Sequence, residues 1–154
     1  MNNRHTLVLA VITVFLVFFS AYSLAKDPVY TGFFSSRAIQ GYDTVSYFQG
    51  DGVPVKGVDE FQIEWRGATW YFSSAHNLAA FAADPERYAP QYGGYCAWAV
   101  AHDTLAKGDA LVYEIVGDKL YLNYNNGISD DWSAQKTELI SVADEYYPEL
   151  VDAQ

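Results

Sequence analysis

Residues Trp70–Val100 read WYFSSAHNLAAFAADPERYAPQYGGYCAWAV. Trp70 and Phe72 finish a strand, and Ser73 or Ser74 then caps a helix, because a serine hydroxyl accepts from the free amides of a first turn. Leu78, Phe81 and Ala82 stand at i, i+3 and i+4, which predicts one apolar stripe against a core. Asp84-Pro85 restarts the chain as a second short helix, with aspartate as cap and proline at the first position. Gln91–Gly94 is a loop around a diglycine, and Tyr95–Ala101 is expected to be helical. Cys96, the only cysteine, falls in its first turn.

Working upstream, Phe61, Ile63 and Trp65 alternate with Gln62, Glu64 and Arg66, the period of a half-buried strand. With the turn at Arg66-Gly67 and the return over Ala68–Ser73, this predicts a hairpin whose inner face carries Trp70 and Phe72. Tyr42–Phe48 is β-branched and aromatic, a strand by composition. Gln49–Gly52 is a turn, and Val53–Gly57 a short extended piece. The lead-in Lys26–Gly41 holds Tyr30, Phe33 and Phe34; disordered linkers are poor in aromatics, so it is expected to pack on the domain.

Downstream, Leu111–Val116 and Lys119–Tyr124 predict a second hairpin around Gly117-Asp118. Ser129 is the expected cap of a last helix, with Asp130 and Asp131 at its positive end. Trp132, Leu139, Val142, Ala143 and Tyr146 would line one side, and Pro148 would stop it. The order predicts a small single α+β domain, with β-hairpins packed against short helices and a C-terminal helix.

The 154 residues divide at Ala25. Residues 1–25 read as a signal peptide: Arg4 precedes an apolar run, Thr6–Ala25, and Ser23 and Ala25 suit a cut after Ala25. The rival reading is an uncleaved anchor, since the run matches the ~20 residues that span a bilayer. A domain over residues 26–154, periplasmic or secreted, is expected from the first; inner-membrane anchoring through residues 6–25 follows from the second. Cleavage would leave eight basic residues against nineteen acidic ones. Phosphate backbones repel so acidic a chain, which argues against nucleic acid as partner. One cysteine allows no intramolecular disulfide.

GYDTVSYF (Gly41–Phe48), GATWYFSSAHN (Gly67–Asn77), FAADPERYAPQYGGYCAWAV (Phe81–Val100) and DKLYLNY (Asp118–Tyr124) resemble the exported, single-domain bacterial branch of the YHS-domain family. The resemblance implies an exported domain whose activity is not established. It also implies metal association, since other YHS modules carry cysteines where this chain has Ser46, Ser73 and Asn77. Hydroxyl and amide groups are poor donors to copper or zinc, so the residues depart from what the family suggests.

Three constellations carry the remaining chemistry. Cys96 at a helix start is either a thiolate favoured by free amides or a buried small hydrophobe among Tyr95, Trp98 and Val100. Cys96, His102 and His76 supply three donors for a transition metal, copper first; the competing reading leaves the histidines on the surface. Asp43 with Tyr42, Tyr88, Tyr92, Gly93, Gly94, Tyr95 and Cys96 would hold a small polar ligand, or Asp43 merely satisfies backbone amides and the tyrosines edge the core. No Cys-x-x-Cys, Gly-x-Ser-x-Gly or phosphate-loop motif occurs. The chain reads as a binding module centred on Cys96 more than as an enzyme. Thiol redox chemistry and docking on an envelope protein partner are the alternatives.

Overall fold

The computed structural model describes residues 26–152; the expected signal peptide or anchor lies outside the described residues. The lead-in packs on the domain through Val29, Ala38 and Ile39, all buried, whereas Phe33 and Phe34 stand in solvent. The strand expected over Tyr42–Phe48 is two residues long, β1 (Tyr42–Asp43), and Thr44–Phe48 winds into a 3-10 turn. Asp43 is the cause. Its carboxylate accepts from the Val45 N–H at 2.9 Å, and Ser46 Oγ donates back to its carbonyl at 2.7 Å. Such local bonds compete with a strand ladder. β1 pairs antiparallel with β2 (Val55–Lys56).

β3 (Val58–Trp65) and β4 (Ala68–Phe72) form the expected hairpin, with Ile63 opposite Trp70 and an irregularity between Val58 and Gln62. β4 was expected to bury one face and buries every residue. The lead-in covers the other side: Thr69 N–H donates to the Ser36 carbonyl at 2.7 Å, and the Arg37 guanidinium lies 4.2 Å from the Tyr71 ring centre.

In α1 (Ala75–Ala83) the cap is Ser74, which accepts from the Asn77 N–H at 3.2 Å. The buried stripe is Asn77 and Phe81, while Ala82 is exposed. The turn selects a polar residue for burial because Asn77 has a buried partner, described below. Asp84 caps α2 (Pro85–Tyr88) as expected. The helix expected over Tyr95–Ala101 shortens to α3 (Ala97–Val100) with Cys96 as an extended N-cap. Tyr92 and Gly93 take φ of 55° and 60°, which turns the chain. The Cys96 N–H then donates to the Ala106 carbonyl at 2.9 Å instead of entering a helix.

β5 (Asp109–Val116) and β6 (Lys119–Asn123) are the second hairpin. Gly117 and Asp118 both have positive φ, the turn that matches strand twist. α4 (Asn126–Asp152) departs from expectation at both ends. Asn125, not Ser129, caps it: Asn125 Oδ1 accepts from the Ile128 N–H at 2.9 Å. Pro148 does not stop it. A proline forfeits one amide bond, but the turn beyond still seats Leu150 in the core, and Tyr147 packs there in place of the expected Tyr146.

Three antiparallel pairs and the helices thus make a small α+β domain. One cluster gathers Val45, Trp70, Phe72 and Phe81; a second Tyr92, Val100, Tyr121 and Trp132; a third Ile39, Tyr47, Leu120 and Leu122. No helix among the described residues is long and apolar enough to cross a membrane.

Candidate functional site

Asp43 is fully buried between β1, the end of β4 and α1. Beyond Val45, its Oδ2 accepts from the Ser73 N–H at 2.8 Å, Ser73 Oγ at 2.6 Å and Asn77 Nδ2 at 2.7 Å. Ser46 Oγ, donating to the Asp43 carbonyl, accepts in turn from the Val55 N–H at 3.0 Å. Ser46, Ser73 and Asn77 therefore converge on Asp43, Ser46 at its carbonyl and the other two at a carboxylate whose two oxygens take four donors. A buried charge is tolerated when such bonds replace its water. The sequence reading, that Asp43 satisfies amides, covers only part of this; Asn77 and the Ser73 hydroxyl complete it.

Cys96 is 1% exposed. Its Sγ lies 3.6 Å from Asn123 Oδ1, which also accepts from the Trp98 N–H at 3.2 Å. Burial pushes the thiol above its ordinary value, and the amides of the turn only partly offset this. Of the two readings of Cys96, the buried small hydrophobe is the one the burial matches, because desolvation of a sealed thiolate outweighs the dipole of so short a helix. Beside it, Asn123 Nδ2 is buried with no hydrogen-bond partner among the described residues.

The histidines do not join Cys96. His76 and His102 are exposed, and His102 stacks on Trp98 with ring centres 3.8 Å apart, its Nδ1 2.7 Å from the Trp98 carbonyl oxygen. Among the described residues no group of three or more His, Cys, Asp or Glu is placed to hold a metal ion. Ser46, Ser73 and Asn77 do not fit a copper or zinc site either, being neutral oxygen and amide donors already engaged with Asp43.

The tyrosine and glycine candidates divide among separate places. Tyr42 lines a cavity of about 280 Å³ with Gln40, Lys107 and Asp109. Tyr95 lines one of about 470 Å³ beside the lead-in. Gly94 is buried against Ile39, and Tyr88 packs edge-on against Phe48. Tyr92 and Gly93 line a third, of about 300 Å³.

That third cleft has the most varied chemistry. Trp65 and Arg66 from the first hairpin, Glu86 from α2, Lys119 from the second hairpin, and Asp144 and Tyr147 from α4 wall it. Tyr92 donates to Asp144 Oδ1 at 2.8 Å, and Arg66 pairs with Glu86 at 2.7 Å while its guanidinium lies 4.6 Å from the Trp65 ring centre. Burial and the bond to Asp144 push the Tyr92 phenol up, and burial pushes that of Tyr147 up to about 12. Both stay neutral donors at any physiological pH. Gly93 is obligatory: a Cβ there would stand 1.9 Å from the Pro28 carbonyl oxygen. Arg66, Glu86, Lys119 and Asp144 escaped the sequence reading, since each looks like an ordinary surface charge and only the fold gathers them.

Residues 49–92 match the family model of the YHS domain. The match runs from the turn after the Asp43 segment to the first residue of the diglycine bend, and leaves out both Asp43 and Cys96. No curated protein and no solved structure is similar enough to the chain to match it.

Proposed function

We propose that this chain, which carries a YHS domain over residues 49–92, is a binding module for a small zwitterionic ligand with an apolar part. The ligand occupies the cleft beside Tyr92-Gly93, not the surroundings of Cys96. One observation carries the reading: a cavity of about 300 Å³ sets two cations, Arg66 and Lys119, and two carboxylates, Glu86 and Asp144, around aromatic walls. Ligand pockets of this kind combine an apolar lining with a few polar groups that fix orientation. The Cys96 thiol has neither the exposure nor the lowered pKa that thiol exchange requires. The site performs recognition: guanidinium and ammonium meet a ligand carboxylate, Asp144 meets its cation, and Trp65 takes its apolar part. An exported location is part of the proposal and rests on the composition of residues 1–25.

The test is a nuclear magnetic resonance titration with L-phenylalanine and with its N-acetylated, singly charged derivative, following the Trp65 indole N–H. A saturable shift with L-phenylalanine, weakened for the derivative and lost in Arg66→Ala, is expected. Equal response to both compounds, or no saturable shift with either, contradicts the zwitterion reading.

A further inference from the structure

Phe33 and Phe34 are 93% and 95% exposed, their rings edge-to-face with centres 4.7 Å apart. Two adjacent aromatics this bare, supported only by each other, make an apolar tip without a partner in the fold. The chain on either side is fixed. Tyr95 Oη donates to the Asp27 carbonyl at 3.0 Å, Tyr147 Oη to that of Pro28, and the Tyr30 N–H to that of Gly93 at 2.9 Å. Beyond the tip, Ser36 accepts from Thr69 and Arg37 pairs with Asp59. A positive φ at Gly32 turns the chain outward between these anchorages.

Where the preceding chain arrives is also fixed. The apolar run Thr6–Ala25 ends one residue before Lys26, and Lys26 and Phe33 line the same cavity of about 470 Å³. Lys26, the first described residue after the run, and the aromatic tip therefore share one face. Charge distinguishes the lead-in segment from the rest of the chain, even with Arg37 paired to Asp59. Residues 26–41 carry two basic residues and one acidic, whereas residues 42–154 carry six basic against eighteen acidic. An anionic membrane surface repels the second set and not the first, which turns the lead-in toward it.

Taking the anchor reading of residues 6–25, we propose that Phe33 and Phe34 insert into the interfacial layer of the bilayer that the run Thr6–Ala25 enters, as a second membrane contact beside that run. Aromatic side chains favour this layer, and the pinned lead-in presents them with little ordering left to lose. The contact fixes the orientation of the domain, holding its acidic remainder away from the lipid.

The experiment uses the full chain in vesicles of phosphatidylcholine with anionic phosphatidylglycerol, with a spin label on Ser35→Cys attached under native conditions that leave the buried Cys96 untouched. Collisions with oxygen, which dissolves in lipid, are compared with collisions with a water-soluble nickel chelate. Oxygen should dominate severalfold, and the added pair Phe33→Ser and Phe34→Ser should reverse the ratio without moving the unfolding midpoint. Two results overturn the proposal: high nickel access in the parent protein, or exclusion of both reagents, which means that protein and not lipid covers the tip.

Discussion

Asp43 and Cys96 are both sealed from solvent, yet the carboxylate meets four donors while the thiol meets a single side-chain acceptor. Around Asp43 every group has an assignment: the backbone of the following turn, the end of β4 and the first turn of α1 are tied to one another through it. Around Cys96 the accounting is incomplete, with the Asn123 amide nitrogen left unpaired among the described residues. The difference teaches what Ser46, Ser73 and Asn77 do in this fold. Ser73 and Asn77 tie the end of β4 and α1 to the Asp43 carboxylate, and Ser46 ties the following turn to the Asp43 carbonyl. The region around Cys96 is held mainly by apolar packing, which tolerates a small polar shortfall at less cost than a charge would.

The strongest way to break this comparison is Asp43→Asn, which keeps the shape and turns one acceptor into a donor facing donors. Bonds to a charged group contribute about 1.5–3 kcal/mol each, and stranded donors cost a similar amount. A loss of about 3–5 kcal/mol in equilibrium denaturation is expected, a large share of a domain's stability. A loss below about 1 kcal/mol, the scale of an ordinary surface change, would mean that the network is incidental.

Cys96→Ala should cost far less, about 1 kcal/mol for the buried volume removed. The wild-type thiol sharpens the contrast through its pH dependence. Its folded pKa is raised above the ordinary 9.0, so the neutral thiol is the form the fold favours. The unfolded chain ionises first; the contribution is whole below pH 9 and declines as pH rises toward the folded value. Modification by a thiol reagent below pH 9 should therefore require opening of the fold, level off at the rate of unfolding as reagent is raised, and never exceed it. Rapid, concentration-dependent labelling of native protein would restore a reactive thiol.

The alternating residues of β3, the Asp84-Pro85 start of α2 and the Gly117-Asp118 turn were legible because each depends on neighbours within a few residues. The failures share a cause. Asp43 shortened a strand that composition favoured: it bonds the turn that follows, and the partners that complete its burial, Ser73 and Asn77, lie thirty and more residues away. Pro148 lies within a helix that packing extends past it. The candidate residues were assembled around Cys96 because it is the only cysteine, whereas the cleft draws on Arg66, Glu86, Lys119 and Asp144, spaced too widely for any motif. Only Tyr92 and Gly93 belong to both sets.

The central claim, that Ser46, Ser73 and Asn77 serve Asp43 and not a metal, meets its most direct test in one denaturation series. The purified chain is unfolded with a chelator, and separately with excess copper(I), zinc(II) or nickel(II). An ion bound only by the folded state would raise the midpoint in proportion to the logarithm of its concentration. The expected result is one midpoint in all conditions. A midpoint that climbs with metal in the parent and stays fixed in Asp43→Asn would contradict the account.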